Sequence, residues 1–378
     1  MTAEAASTLG LSVAVLAEST GDAACAVASE VVVGSPLSEG DLRSLAERSE
    51  VLTFDHEQVD LIALRALADD GVVIRPGLRT LEMAVDKAHM RASLVQAGIP
   101  VPAHVVVDLR PGAASPAVDT IERFGSIHGW PLVLKTARGG YDGKGVWPVG
   151  DMEAVAAVVA GVDGTLLVEE MVPLQAELAV MVARRPTGEM VTWPAVETAQ
   201  VGGVCREVLV PGRLPPEVVA EARALGQQVA EISGAVGVLA VELFWARGSL
   251  LVNEIAARPH NSGHWTMEGS VTSQFENHLR AVLDLPLGPT ARQHAEVASV
   301  NVFGGGDGRD PLALLPDGLA VPGAHVHLYG KVARPGRKLG HVTVCGDDAD
   351  EVRAGAWTAA LALGTPRPAG LDLPEGVR

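Results

Sequence analysis

The chain has 378 residues, too many for one simple core, so two or three domains of ordinary size are expected. Hydrophobic residues make up 48% and charged residues 20%, which fits a globular protein and excludes disorder over most of the length. A net charge of -17 argues against nucleic acid or an anionic membrane as partner, so any anionic ligand must be held by a local basic cluster.

No apolar run approaches the roughly 20 residues that span a bilayer. The opening MTAEAASTLG lacks the basic region and continuous apolar core of a signal peptide, so a cytoplasmic location is expected. Cys25, Cys205 and Cys345 are far apart and form no CxxC pair, which points to isolated thiols rather than a zinc ribbon or a disulfide framework.

In chain order, TAEAASTLG reads as a helix ending at Gly10, followed by the strand LSVAVLAES and a short strand EVVVG. EGDLRSLAERSE and DLIALRALADDG are amphipathic, and each is followed by a short apolar strand, VLTF and VVIRP. This alternation predicts a parallel sheet wound with helices. A helix over DKAHMRASLVQAGIPVP, stopped by Gly98 and Pro100, leads into the strand HVVVDL, and RPGAASPAVD reads as a loop. The middle section carries strands PLVLKTA, TLLVEEMV, ELAVMVARR, VLAVELFWA and SLLVNEIAA, with helices near 151–160 and 217–232. Further on, VASVNVFGG, AHVHLYG and GHVTVCG alternate like a small antiparallel sheet. The divisions follow as 1–86, 87–290 and 291–378.

Four groups carry chemistry. In KTARGGYDGKGV, Lys135 ends a strand and Gly139, Gly140, Gly143 and Gly145 lie in a loop where backbone N–H groups can close on phosphate oxygens; Lys144 adds charge. The spacing matches neither GxxxxGK[ST] nor GxGxxG, and a plain glycine hairpin has the same look. In LLVEEMVPLQAE an apolar strand runs into Glu169 and Glu170, then Glu177, a pattern open to reading either a base edge and ribose or a solvated edge. A turn at Arg247 and Gly248 would fold VLAVELFWA onto SLLVNEIAA antiparallel and bring Glu242 nearly opposite Glu254, on one face. Two carboxylates on one buried face repel unless a cation separates them, and oxygen ligands suit magnesium, with Asn253 or Asn261 as further donors. His260 and His264 are four apart, but Pro259 and Gly263 argue against the helix that a zinc pair needs, leaving an anion or substrate loop. Last, YGKVARPGRKLGH gathers Lys331, Arg334, Arg337, Lys338 and His341, a basic island suited to a phosphate monoester or carboxylate.

Taken in order, these motifs resemble the ATP-grasp superfamily. More narrowly, NEIAARPHNSGHWTMEGSVTSQFENHLRAVLDLPLG and RPGRKLGH resemble the 5-(carboxyamino)imidazole ribonucleotide synthetases of purine biosynthesis, over nearly the whole chain. The resemblance implies an α/β protein: a doubly wound N-terminal sheet lacking its first strand, a two-lobed ATP-grasp domain and a small C-terminal antiparallel-sheet domain. It implies the reaction of ATP, bicarbonate and 5-aminoimidazole ribonucleotide, through carboxyphosphate, to ADP, phosphate and the N-carboxylated ribonucleotide, with Mg2+ as cofactor and a homodimer as assembly.

Carried over by position, Lys87 and Lys135 meet nucleotide phosphates, with Gly140, Tyr141, Asp142, Gly143, Lys144, Gly145 and Val146 as the mobile loop above them. Glu169, Glu170, Met171 and Val172 frame the adenine, Glu177 holds the ribose, and Gln200 and Asn253 border the nucleotide. Glu242 and Glu254 hold magnesium, while Arg258 and His260, with Lys338, face bicarbonate and carboxyphosphate. Asn261, Ser262, Lys331, Arg337 and Lys338 take the acceptor and its phosphate.

Three departures from the family pattern stand out. A first strand with a GGGQLG-type loop is absent, as if the start were placed late or the chain shortened. Gln200, followed by VGGV, stands where many members have a histidine and a charged pair, and TFDHEQVD replaces a YExE pattern, leaving Asp55 and Glu57 as candidate substrate contacts. Two other readings remain: a nucleotide-binding homologue without activity, or a sister ATP-grasp ligase that uses formate or an amino acid.

Overall fold

The computed structural model describes residues 1–110, 114–140, 143–375 and 377. The N-terminal unit contains α1 (Thr2–Thr8), β1 (Ala14–Ala17), β2 (Glu30–Val33), α2 (Glu39–Ala46), α3 (Leu61–Asp69) and α4 (Leu78–Val85). β1 and β2 pair in parallel, as the alternation of elements requires. The expected strands VLTF and VVIRP shrink to a single parallel bridge between Leu52 and Ile74. Phe54 and Ile74 pack instead against a core that continues into the next unit. Helix α4, unpredicted, fills the stretch between VVIRP and Asp86 and buries Leu81 and Met83.

Next come α5 (Lys87–Gln96), β3 (His104–Asp108), α6 (Ala114–His128), β4 (Leu132–Thr136), β5 (Val146–Val149), α7 (Met152–Val159) and β6 (Thr165–Glu170). Asp86 caps α5, its side chain accepting from the His89 N–H. α6 corrects the reading of RPGAASPAVD as a loop: its second half is already helix, because Ala117, Ile121 and Phe124 form an apolar stripe on the small sheet. Among the described residues this sheet has the order β3-β6-β4-β5, all antiparallel.

After Met171–Pro173 the chain enters a larger sheet built from β7 (Leu174–Arg184), β8 (Met190–Thr192), β9 (Val196–Val201), β10 (Val204–Val210), β11 (Gly237–Ala246) and β12 (Ser249–Ala256). Helix α8 (Pro216–Ser233) covers one face and ends at Gly234, whose φ of 69° makes the left-handed C-terminal turn. Short α9 (Thr266–Gly269) and α10 (Gln274–Val282) follow. The last section holds β13 (Glu296–Phe303), α11 (Leu315–Leu319), β14 (Ala324–Leu328), β15 (Lys338–Gly346) and α12 (Ala349–Ala362). Its strands are antiparallel, as the alternation predicts, but they are not a separate sheet. β13 pairs with β10, giving one sheet of order β12-β11-β7-β9-β10-β13-β15-β14, with β8 beside β7. α12 packs Val352, Ala356 and Trp357 on Val300, Val302, Val342 and Val344, so the opposite face of β13 and β15 is left toward the central groove.

Candidate active site

The hairpin β11–β12 turns at Arg247 and Gly248, both with positive φ, and a bulge between Glu242 and Leu243 shifts the register so that Glu242 lies directly across from Glu254. Burial, with Glu254 and Glu177 adding repulsion, raises the Glu242 carboxyl to about 8. Glu177, on the neighbouring strand β7 and hydrogen-bonded to Gln200, is raised by burial to about 7. Glu177, Glu242 and Glu254 therefore act on one another across one face of the sheet.

Two lysines close on these acids, Lys135 from the small sheet and Lys87 from α5, whose Met90 and Leu94 pack in the core beneath the large sheet. Lys87 Nζ donates to Glu254 Oε1 at 2.7 Å, and Lys135 Nζ donates to Asn253 Oδ1 at 3.0 Å and to Glu169 Oε2 at 2.6 Å. Lys135 thus bridges the two sheets. Glu169 is 2% exposed and also accepts from Arg91 Nε at 2.6 Å, with Arg91 itself fully buried. Its carboxylate fixes Lys135 instead of standing open beside a base. Glu170 pairs with Arg247 at 2.9 Å, leaving the exposed Met171 and the buried Val172 at the passage between sheets.

The glycine loop folds toward the β9–β10 hairpin. Gly143 has φ 75°, and a Cβ there would stand 2.8 Å from the Gly202 carbonyl oxygen, while one on Gly203 would stand 2.9 Å from Gly143 Cα. Only glycine permits that approach. Gly140, Lys144, Gly145 and Val146 lie along the same loop; Tyr141 and Asp142 lie outside the described residues.

Beyond β12 the chain supplies the second half of the groove. Arg258 Nε donates to Glu57 Oε2 at 2.8 Å, and the Ala257 N–H donates to Glu57 Oε1 at 3.2 Å, so the N-terminal unit orients this arginine. Glu57 faces Arg258, whereas Asp55 is exposed. His260 caps a 3-10 turn over Asn261–Gly263, with Nδ1 2.9 Å from Ser262 Oγ and Nε2 3.5 Å from Glu242 Oε1. Burial, then Arg258 and Lys338, lowers His260 to about 3, so the ring is neutral beside the acid pair. Ser262 is 2% exposed and stands behind His260 as its hydrogen-bond partner, away from the open groove. Both polar atoms of the Asn261 amide are buried with no hydrogen-bond partner among the described residues.

Lys338 opens β15 and acts on Glu242, His260 and His264 through its charge, which puts it at this end of the groove. Lys331 Nζ lies 5.6 Å from the Tyr329 ring centre, and Arg337 donates to the Val332 carbonyl at 3.1 Å. The Tyr329 hydroxyl is 3.1 Å from His264 Nδ1 and 2.8 Å from His341 Nδ1. With one proton to give, it donates to one ring and accepts from the other, fixing opposite tautomers. Sequence reasoning missed Arg91, Gln274 and Tyr329. Gln274, fully buried, accepts from the His260 N–H at 2.8 Å and donates to the His260 carbonyl at 2.7 Å.

Two sheets that clamp a lysine-lined groove, a glycine loop and opposed carboxylates define an ATP-grasp ligase, and an ATP-grasp domain model matches residues 92–275. A ribonucleotide synthetase preATP-grasp domain matches 1–85, and a phosphoribosylaminoimidazole carboxylase C-terminal domain matches 298–355. The N5-carboxyaminoimidazole ribonucleotide synthase of Mycobacterium tuberculosis is 43% identical over 95% of this chain and 84% of that protein. The synthetase structure from Thermus thermophilus superposes with a TM-score of 0.85 at 37% identity, covering 98% of this chain and 97% of that one. A synthase from Aspergillus clavatus in complex with ADP and 5-aminoimidazole ribonucleotide gives 0.85 at 30% identity, covering 96% and 95%. The chain belongs to the N5-carboxyaminoimidazole ribonucleotide synthase family: it is an ATP-dependent carboxylating ligase of purine biosynthesis. Among the described residues no helix is long and apolar enough to cross a membrane.

Proposed function

We propose that the groove between the sheets holds ATP with its phosphates on Lys87, Lys135 and the loop from Gly140 to Val146. The adenine sits at Met171 and Val172, and the ribose at Glu177 beside Gln200. Glu242 and Glu254, with Asn253 adjacent, hold Mg2+, and the raised Glu242 carboxyl supports this because a divalent ion would discharge it. Bound there, the ion neutralises charge on the nucleotide phosphates.

The remaining work falls to the chain itself. Arg258, fixed by Glu57, orients bicarbonate for attack on the γ-phosphoryl group and stabilises the carboxyphosphate formed with release of ADP. Neutral His260 and Lys338 flank the same point, where carbon dioxide released from carboxyphosphate meets the acceptor amine. The acceptor, 5-aminoimidazole ribonucleotide, lies against Asn261 and the 258–264 segment, with its phosphate on Lys331, Arg337 and Lys338.

The observation that carries this reading is the Arg258–Glu57 pair 2.8 Å apart beside the acid pair, a cation locked in direction at the end of the nucleotide groove. ATP turnover should require both bicarbonate and the aminoimidazole ribonucleotide. Turnover supported by formate or an amino acid would assign a sister ligase instead. The assembly is a homodimer in the cytoplasm, which light scattering of the purified protein and cell fractionation check.

A further inference from the structure

Arg206 sits on β10 at a β-bulge, where the register against β9 slips between Cys205 and Glu207. Such bulges re-aim a side chain. Glu207 points to α12, accepting from Arg353 Nε at 3.0 Å and from Trp357 Nε1 at 2.5 Å. Cys205 lies on the opposite side, within the fields of Lys338, Glu242 and Glu177. Arg206 follows Cys205 and stacks its guanidinium 4.1 Å from the centre of the Phe303 ring. Phe303 is buried, and across the ladder it pairs with Lys338.

Arg206 carries its charge in half-buried surroundings. Burial lowers its pKa, its Nε is buried without an acceptor, and no carboxylate pairs with it among the described residues. A half-buried guanidinium without a counter-charge is costly unless a ligand supplies one. Beside Phe303, the Gly304 N–H donates to the Arg337 carbonyl at 2.9 Å, and a Cβ on Gly304 would overlap the Arg334 carbonyl oxygen. The basic loop is thereby seated next to the ring that carries Arg206.

We propose that Arg206 is a further substrate-binding residue, closing the phosphate-monoester site of the ribonucleotide acceptor from the β10 side, opposite Lys331 and Arg337. The planar, stacked guanidinium offers paired donors to phosphate oxygens. This rests on the reading of the basic loop as the acceptor's phosphate site. It adds a residue from the large sheet, remote in sequence from that loop.

The test compares Arg206→Gln, Arg206→Lys and Arg337→Ala, each with two acceptors: the aminoimidazole ribonucleotide and its 5'-dephosphorylated nucleoside. Loss of a charge-assisted contact predicts that Arg206→Gln raises KM for the ribonucleotide roughly 10- to 100-fold. KM for ATP and the weak turnover of the nucleoside stay unchanged, and Arg206→Lys recovers part of the loss. If Arg206→Gln fails to fold, Arg206→Lys alone is read for a rise confined to the phosphorylated acceptor. An unchanged KM for the ribonucleotide in the Arg206 variants, with Arg337→Ala raising it, overturns this inference alone. Unchanged values in all variants overturn the basic-loop reading as well, and a rise confined to KM for ATP moves Arg206 to the nucleotide.

Discussion

The acid pair at the hairpin makes proton release a direct readout of metal binding. Burial and the neighbouring carboxyls let Glu242 keep its proton to about 8 in the folded chain, whereas in the unfolded chain it ionises near 4.5. The folded state therefore binds more protons between those values, and the stability this group contributes falls as pH rises through that window. A divalent ion needs the carboxylate, so its arrival must expel the proton. At pH 7.5 about three molecules in four carry it, so each bound Mg2+ should release about 0.75 proton from Glu242. Glu177, at about 7, adds at most about a quarter more. Isothermal titration of Mg2+ with a non-hydrolysable ATP analogue, repeated in buffers of different ionisation heat, counts these protons directly. Release should shrink toward zero by about pH 9.5, and affinity should rise with pH until then. Glu242→Gln should abolish most of the release and weaken binding. Binding with no proton release at pH 7.5, or release undiminished in Glu242→Gln, would refute the reasoning.

Arg91→Met leaves buried Glu169 with only Lys135 for a partner and should cost about 3–5 kcal/mol in urea unfolding; a loss below about 1 kcal/mol would mean the carboxyl is simply protonated. Gly203→Val, which has φ 75° and faces Gly143 Cα, should raise KM for ATP about tenfold by pushing the phosphate loop away, and unaltered ATP kinetics would unlink hairpin from loop. Arg258→Ala should lower kcat by about two to three decades, as loss of an oriented donor at a developing anion does, and normal turnover would move bicarbonate elsewhere. Glu57→Gln keeps Arg258 but frees its direction, so steady-state kinetics should show a drop of about one decade in kcat with KM for ATP unmoved.

Much of the groove is legible from sequence because its parts are local. The turn at Arg247–Gly248 brings the two acids to the same place in the hairpin, but in the turn's own register Glu242 would face Asn253; a bulge between Glu242 and Leu243, silent in the sequence, sets it across from Glu254. Residues whose partners are distant in sequence are not legible. Arg91 reads as one more cation on an amphipathic helix, and only its contact with Glu169, 78 residues away, makes it a buried anchor. Gln274 and Tyr329 are silent for the same reason. α6 is hidden by the Pro, Gly and Ser of its approach, although the spacing of Ala117, Ile121 and Phe124 marks a helical stripe. VLTF and VVIRP look like strands because apolar runs of four or five cannot distinguish a ladder from a segment packed on its neighbours.

The large sheet that runs unbroken from β12 through β10 to β14 acts as a single stiff beam. Glu242, Glu254, Arg258 and Lys338 are all mounted on it or at its ends, so their spacing is set when the chain folds. The small four-stranded lobe is joined to it through the stretch around Pro100 and through Met171–Pro173, with Lys135 reaching across the gap. Any widening of the groove must therefore move the small lobe against the large sheet, whose continuous ladders hold the hairpin and the basic strand at a fixed separation.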